Sequence, residues 1–399
     1  MSSFLLRTHG ATGGSSSVSA SSDAYVEVDI GEQADADVRM LEPGKPIERE
    51  IAGGQSHSYN VALNSDEYLH LVVDQRGIDV KVLVFAPDGT KIIEVDSPTG
   101  IQGSEDVHIL ASVSAVHRVE VRSLEANAKA GKYEVKIKAL RIATAQDRTR
   151  AAAEKLCREA NLLVHEAAQT SRQSALTKYE QALLLWRELN DRQAEADALT
   201  NIADTNSLLN RNDEALKYFD LGVPLLRALN DGNQLVYVVS RKGSIYHVFG
   251  EKGKAIEAFN EAVAIARAIG DRTAEARSLS NLGTVYFHLG EAQRALYLFE
   301  QALALQQAEK DRRGQAITLN NIAKSQDSLG NKQSALDYFN QALLLHQETG
   351  SQTGQAAAYN NMGSVYYDLG EMEKALDYCT KALQICRALK VKIPSEAMT

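Results

Sequence analysis

The sequence predicts a two-part fold, a β-sandwich followed by an all-α superhelical solenoid. Residues 151–390 repeat with a period of forty, and each of the six blocks has the apolar spacing of two helices. Residues 41–140 instead alternate apolar and polar positions in short runs that are separated by turn residues. The period changes once, near residue 140, so we predict two domains of different structural class.

The second helix of each block carries the clearest repeat. Small, branched, aromatic and small residues stand at offsets 0, +1, +4 and +7, which together form one face of an α-helix. In the block from 271 these residues are Ala295, Leu296, Phe299 and Ala302. The aromatic column contains Tyr179, Phe219, Phe259, Phe299 and Phe339, and Cys379 interrupts it in the last block. We expect the small residues to admit a neighbouring helix at close range.

The first helix of each block has its own apolar face, formed in the block from 271 by Leu279, Leu282, Gly283 and Tyr286. A glycine that can adopt positive φ is expected to close this helix, at Gly250, Gly290, Gly330 and Gly370. A residue with a short polar side chain is expected to cap the helix start, at Asp191, Asp231, Asp271, Asp311 and Ser351. Helix starts and stops therefore recur with the same period as the apolar columns.

The runs from Leu279 to Tyr286 and from Gly290 to Ala302 resemble the tetratricopeptide repeat (TPR). The forty-residue spacing is similar to that of kinesin light chains and many bacterial scaffold proteins. This resemblance implies a right-handed solenoid whose first helices line a concave groove for a protein or peptide partner. Glu159 and Gln169 depart from the pattern, because they occupy apolar columns of the first block.

A candidate binding surface lies on the first helices, opposite their apolar face. Its central column contains Asn161, Asn201, Arg241, Asn281, Asn321 and Asn361. An asparagine amide both donates and accepts hydrogen bonds, so a row of them suits the backbone of an extended peptide. Equally, these amides could bond the neighbouring helix and belong only to the repeat architecture. The predicted partner-binding residues are here called the first-helix face. They are Asn201, Tyr237, Arg241, Arg277, Asn281, His288, Asn321, Lys324 and Asn361.

Residues 41–140 predict a β-sandwich of eight short strands, over 47–51, 57–63, 68–73, 80–85, 91–95, 107–112, 118–123 and 133–140. The stretches 55–61, 79–89 and 131–135 resemble bacterial pre-peptidase C-terminal domains. Asp74, Asp79 and Asp88 are interpreted as turn residues rather than as calcium ligands.

Three segments complete the chain. Residues 1–40 are rich in glycine and serine and then acidic, and predict a flexible leader. Residues 141–390 form the predicted solenoid, with Thr144 as the expected N-cap of its first helix. Residues 391–399 are interpreted as the start of a further block or as a tail.

A sandwich followed by such repeats resembles the N-terminal part of bacterial proteins that end in a caspase-like CHAT domain. The cytoplasm is the favoured compartment because this chain shows no signal peptide.

The composition and motifs favour a scaffold over an enzyme. The net charge is −9, which disfavours binding to nucleic acid or to an anionic membrane. The nine histidines and three cysteines show no recognisable catalytic or metal-binding spacing, so no cofactor is expected. We predict a non-catalytic protein that binds a protein or peptide. Two alternatives stay open: the regulatory half of a CHAT protease, and a protein that self-associates through its C-terminal helix, in which Leu376 and Leu383 resemble internal residues.

Overall fold

A computed structural model describes residues 38–96, 102–166 and 168–391. These residues form two compact units, and the boundary between them lies between Arg141 and Ile142. Apart from its last three residues, the predicted leader lies outside the described residues. So do residues 392–399 of the predicted tail.

The first unit is built from strands. They are β1 (Arg39–Met40), β2 (Ile47–Ile51), β3 (Ser56–Leu63), β4 (Glu67–Arg76), β5 (Val80–Phe85), β6 (Lys91–Val95), β7 (Gln102–Leu110), β8 (Ala115–Ser123) and β9 (Gly131–Ile142). All eight predicted strands are confirmed within a few residues. The additional strand is β1, which is too short to show an alternating pattern.

The strands form two sheets that share one hydrophobic core. The first sheet has the order β1-β3-β8-β5-β6 and the second the order β2-β9-β4-β7. Alternate residues of both sheets enter the core, for example Leu69 and Leu71 of β4 and Val119 and Val121 of β8, all with no exposed surface. This alternation confirms the predicted sandwich, because each sheet buries one face against the other.

Two tyrosine hydroxyls join the sheets inside this core. Tyr59 of β3 and Tyr133 of β9 are fully buried, and their hydroxyl oxygens lie 2.5 Å apart. His57 Nδ1 lies 2.7 Å from the Tyr133 hydroxyl. Burial is the main reason that the pKa of Tyr59 is raised, so the hydroxyl stays protonated. The buried polar atoms satisfy one another and so avoid the cost of lost hydration.

The second unit consists of helices arranged as six consecutive pairs. They are α1 (Ala145–Val164), α2 (Gln169–Glu188), α3 (Arg192–Leu208), α4 (Asn212–Leu229), α5 (Gly232–Val248), α6 (Lys252–Ile269), α7 (Arg272–His288), α8 (Ala292–Ala308), α9 (Arg312–Ser328), α10 (Lys332–Glu348), α11 (Gln352–Asp368) and α12 (Met372–Val391). Within the described chain, none of these helices has the length and apolar character that crossing a membrane requires.

Local signals in the sequence define both ends of the first helices. The five predicted N-caps each accept a hydrogen bond from the backbone N–H three residues later, as Asp271 does from Ala274. The predicted glycines all have positive φ, +80° at Gly290, and Asn210 takes the same conformation at +59°. Thr144 caps α1 as predicted, in a reciprocal pair with Asp147. Each cap contributes about 0.5–2 kcal/mol, so the helix boundaries are set locally.

The two helices of a pair meet where an aromatic ring covers a small residue. Phe299 of α8 is 1% exposed and lies over Gly283 of α7. A Cβ added to Gly283 would come within 2.7 Å of the Phe299 ring. Gly243 and Phe259 repeat this arrangement in the preceding pair. The small column of the second helices is also buried, since Ala295 and its equivalents are at most 7% exposed: Ala175, Ala215, Ala255, Ala335 and Ala375.

The first pair departs from the forty-residue register. A helix placed forty residues before α3 would cover 152–168, but α1 covers Ala145–Val164. Glu159 and Glu166 stand where α7 has Leu279 and Tyr286. Helix α1 buries Ala153 and also Ala160, which is equivalent to the buried Ser280 of α7. The first helix thus begins at its predicted cap, Thr144, but ends at Val164 rather than at residue 168, whereas Tyr179 and Ala182 of α2 are buried as expected.

We expect Phe299→Ala to destabilise the chain by about 3–5 kcal/mol, because it removes a buried ring and leaves a cavity. Thermal unfolding followed by circular dichroism measures the effect. Tyr297→Ala on the same helix is the control, since Tyr297 is 65% exposed. Equal melting temperatures for the two variants would show that the ring does not hold the pair together.

We expect Gly283→Ala to destabilise the chain by about 1–3 kcal/mol, because the new methyl group overlaps the Phe299 ring. Gly253→Ala is the matched control, since a Cβ at Gly253 meets no atom within 4 Å. Alanine favours helix over glycine, so the control should gain up to about 1 kcal/mol. Melting temperatures that shift in the same direction would contradict the proposed packing.

Candidate functional site on the first helices

All nine residues of the first-helix face lie on the first helices of consecutive pairs. Asn201 is on α3, Tyr237 and Arg241 on α5, Arg277, Asn281 and His288 on α7, Asn321 and Lys324 on α9, and Asn361 on α11. Five of them share one column of the forty-residue repeat, Tyr237 and Arg277 share a second, and His288 and Lys324 each stand in a further column. Their hydrogen-bond partners differ, and this divides the surface into residues that join helices and residues that do not.

Tyr237 and Arg241 are joined to the preceding first helix through Asp204 of α3. The Tyr237 hydroxyl donates to Asp204 Oδ2 at 2.6 Å, and Arg241 Nε donates to Asp204 Oδ1 at 2.9 Å. Burial and the hydrogen bond to this carboxylate raise the pKa of Tyr237 to about 12. At neutral pH the tyrosine is therefore a hydroxyl donor, and both oxygens of the carboxylate are engaged.

His288 is joined to the preceding first helix through a second histidine. Its Nδ1 lies 2.9 Å from His247 Nε2, and the two rings stack with centroids 5.0 Å apart and planes at 8°. Partial burial and then the positive charges of Lys252 and Lys324 lower the pKa of His288. One neutral imidazole donates to the other, so this pair is an internal contact between α5 and α7.

Two further residues contact neighbouring elements. Lys324 places its ammonium group 5.6 Å from the centre of the Phe287 ring. Asn361 Nδ2 donates to Asn320 Oδ1 at 3.2 Å, which joins α11 to α9. The amide of Asn361 thus bonds a neighbouring first helix, which is the contact that the alternative interpretation expects. Asn161, in the same sequence column, accepts from the Tyr179 hydroxyl because α1 is out of register.

Four residues of the first-helix face keep their polar groups available. Within the described chain, the structure records no hydrogen bond or ion pair for the side chains of Asn201, Arg277, Asn281 and Asn321. Apolar side chains lie on the same surface, and Ile317 of α9 is 56% exposed. Val248 of α5 is 73% exposed. The surface thus combines available amides, one available guanidinium group and exposed apolar groups.

Small hydroxyl side chains join adjacent first helices beside these amides. Ser240 Oγ lies 3.4 Å from Ser278 Oγ, and Ser280 Oγ lies 3.2 Å from Thr318 Oγ1. Such small side chains let the helices approach closely, at an axial distance of roughly 8–10 Å. Asn281 follows Ser280 in sequence, so α7 and α9 present Asn281 and Asn321 from closely packed neighbouring helices.

Sequence reasoning missed two residues that engage this surface, His247 and Asn320. Each lies one position before a column of the first-helix face; the column of His247 shows no shared residue type, whereas that of Asn320 is small and polar, with Ser240 and Ser280. Their contacts depend on how one pair is rotated against the next. The forty-residue period carries no signal for that rotation.

A second surface lies on the last helix pair. Leu376 of α12 is 70% exposed, whereas the equivalent leucines at 176, 296 and 336 are at most 7% exposed. Leu383 of α12 is 49% exposed. An apolar cleft between α11 and α12 is lined by Thr353, Ala356, Ala357, Cys379, Leu383 and Cys386. In the preceding pairs, the following first helix packs against this side of the second helix.

Two tetratricopeptide repeat family descriptions match the helical unit. One matches residues 236–308 and 275–348, and the other matches residues 356–388. No curated protein sequence matches the chain. The matches lie in the solenoid, so the resemblance of the sandwich to pre-peptidase C-terminal domains, and of the whole arrangement to CHAT proteins, stays a prediction.

Solved structures show the same helical fold at low sequence identity. One is a Signal Transduction ATPase with Numerous Domains protein from Pyrococcus horikoshii, which has a tetratricopeptide repeat sensor. It is 17% identical in sequence, with a TM-score of 0.53, and the match covers 64% of this chain and 39% of that chain. BtubC from P. vanneervenii is 20% identical, with a TM-score of 0.47 and coverage of 63% and 95%. Aspartyl phosphate phosphatase F from Bacillus subtilis is 14% identical, with a TM-score of 0.46 and coverage of 63% and 77%. The family matches and the structure from Pyrococcus horikoshii together show that the helical unit is a tetratricopeptide-repeat-like α solenoid.

Proposed function

We propose that the chain is a non-catalytic scaffold whose first-helix face binds an extended peptide segment of a partner protein. The observation that carries this proposal is the pair of available amides on neighbouring helices, Asn281 and Asn321. An amide that joined two helices would have a partner, as Asn361 does. A donor and acceptor held ready on a packed surface suits the backbone of a peptide.

The spacing of the helices fits this ligand. Neighbouring first helices lie roughly 8–10 Å apart, and three residues of an extended peptide span about 10 Å. Successive amides would therefore meet backbone groups about three residues apart. Each such contact contributes about 0.5–1.5 kcal/mol, so binding requires several of them.

The neighbouring side chains indicate the composition of the peptide. Arg277 has no ion pair within the described chain. The equivalent position on the next first helix is Ile317, whose side chain is 56% exposed. An acidic side chain of the peptide would pair with the Arg277 guanidinium group. An apolar side chain further along would cover Ile317. We therefore expect bound segments to contain an acidic residue followed at short distance by an apolar one.

The test begins with selection of binding peptides from a displayed library of random sequences. The affinity of a selected peptide is then measured by fluorescence anisotropy for three chains. Asn281→Ala/Asn321→Ala removes two amides from the first-helix face. Asn260→Ala/Asn340→Ala is the matched control, because both asparagines are exposed on the second helices α6 and α10.

The Asn281→Ala/Asn321→Ala variant should bind the peptide about 5- to 150-fold more weakly than the parent, which corresponds to the loss of two hydrogen bonds. The control should bind as the parent does, and all three chains should melt at similar temperatures. Equal affinity of both double variants would contradict the role of the amides. A library that yields no binding peptide would count against the peptide-binding function itself.

The exposed face of the last helix supports a second candidate function, self-association through α12. Leu376 and Leu383 are exposed, whereas the equivalent residues of earlier pairs are buried or partly buried. A second copy that covered them would bury apolar surface worth about 1.5–3 kcal/mol for each fully covered leucine. The alternative of a regulatory half of a CHAT protease has no comparable structural observation in its favour.

For this candidate we expect the parent to show a concentration-dependent mass in sedimentation velocity. Leu376→Asp/Leu383→Asp should weaken the association at least about tenfold, because charged side chains would enter the apolar contact. Leu184→Asp/Leu344→Asp is the control, since these leucines are 65% and 59% exposed on α2 and α10. A parent that stays monomeric at every concentration would eliminate this candidate.

A further inference from the structure

A cluster of two histidines and one aspartate lies on the β-sandwich. His70 of β4 stands directly opposite His108 of β7 in the antiparallel register. Asp106 lies two residues from His108 and therefore on the same side of the sheet. The neighbouring residues Leu69 and Leu71 point into the core, so the three polar side chains occupy the outer face.

The three side chains are close enough to hold one ion. One ligand atom from each of the three lies within 4.8 Å of the others. His70 Nε2 is 2.6 Å from Asp106 Oδ1, and the two imidazole centroids are 4.3 Å apart. Two atoms that bind one zinc ion lie about 3.4 Å apart in a tetrahedral site, so only small side-chain rotations are needed.

Neighbouring groups hold these side chains in place. The Tyr68 hydroxyl lies 2.6 Å from His108 Nδ1, and the Arg141 guanidinium group lies 5.1 Å from the centre of the Tyr68 ring. Ser104 Oγ donates to Asp106 Oδ2 at 3.0 Å, which leaves Oδ1 directed at His70. Metal-binding histidines typically have their second ring nitrogen in such a contact. Both strands belong to the buried framework of the sandwich, so the arrangement is rigid.

We propose that His70, Asp106 and His108 bind a divalent transition-metal ion such as Zn²⁺. Each of the three side chains offers one ligand atom to the ion, and the Tyr68 hydroxyl contacts Nδ1 of His108. Two imidazole nitrogens and one carboxylate oxygen suit a borderline ion, whereas Mg²⁺ and Ca²⁺ prefer oxygen ligands alone. His70 has 14% of its side chain exposed and Asp106 has 41%, so the ion would remain accessible from solvent. A fourth position would be open to water or to a group from another molecule.

The test is calorimetric titration of the untagged, metal-stripped full chain with Zn²⁺, with Mg²⁺ as the comparison ion. The parent should bind one Zn²⁺ per chain and show no heat of binding with Mg²⁺. Asp106→Asn and His108→Phe each remove one ligand and should weaken Zn²⁺ binding at least about tenfold. Tyr68→Phe removes only the hydroxyl beside His108 and should weaken it about 10- to 100-fold.

His247→Gln is the control, because it breaks the stacked histidine pair of the solenoid and leaves the sandwich unchanged. It should bind Zn²⁺ as the parent does. Circular dichroism without metal shows whether each variant is folded. If a variant is unfolded, its titration is not used. X-ray absorption at the zinc edge of the Zn²⁺-bound parent is measured instead and should show two imidazole ligands. Absence of Zn²⁺ binding, equal binding by a folded Asp106→Asn variant, or a spectrum without imidazole would overturn the proposal.

Discussion

The contact between an aromatic ring of one helix and a small residue of its partner is the constraint on which the helical unit depends. Phe299 reaches Gly283 so closely that no Cβ fits between them, and Phe259 and Gly243 repeat this contact. In these two pairs the ring is buried and the small residue fixes how near the helices come. The first-helix residues of α5 and α7 take their distance from the second helices from this spacing.

Local chemistry explains why much of the fold was predictable from the sequence. Caps such as Asp271 and turn residues such as Gly290 act within a few residues, so the helix ends of each repeat can be predicted from its own sequence. The strands were predictable because alternate residues face the core. The start of helix α1 was predictable from its cap, Thr144, whereas its end at Val164 was not, because Glu159 and Glu166 interrupt the apolar columns there. Asp74, predicted as a turn residue, lies in β4 and pairs with Lys136.

The candidate sites were less predictable, since they depend on relations between elements. Sequence columns placed Asn281 and Asn361 at equivalent positions, yet one amide is available and the other bonds Asn320. That difference arises from a neighbouring residue outside the column. The cluster of His70, Asp106 and His108 requires the register of β4 against β7, because residues almost forty positions apart become adjacent only once the strands pair. Periodicity identifies a surface but does not identify which of its groups are already engaged.

The hydroxyl contacts between first helices have a mechanical consequence. Ser240 with Ser278, and Ser280 with Thr318, add single small polar contacts beside the apolar packing that joins neighbouring pairs, such as that of Ile322 of α9 against Leu296 of α8. A rotation of one pair against the next would therefore displace apolar side chains as well as exchange hydroxyl partners. The curvature of the solenoid should change only where both kinds of contact give way together.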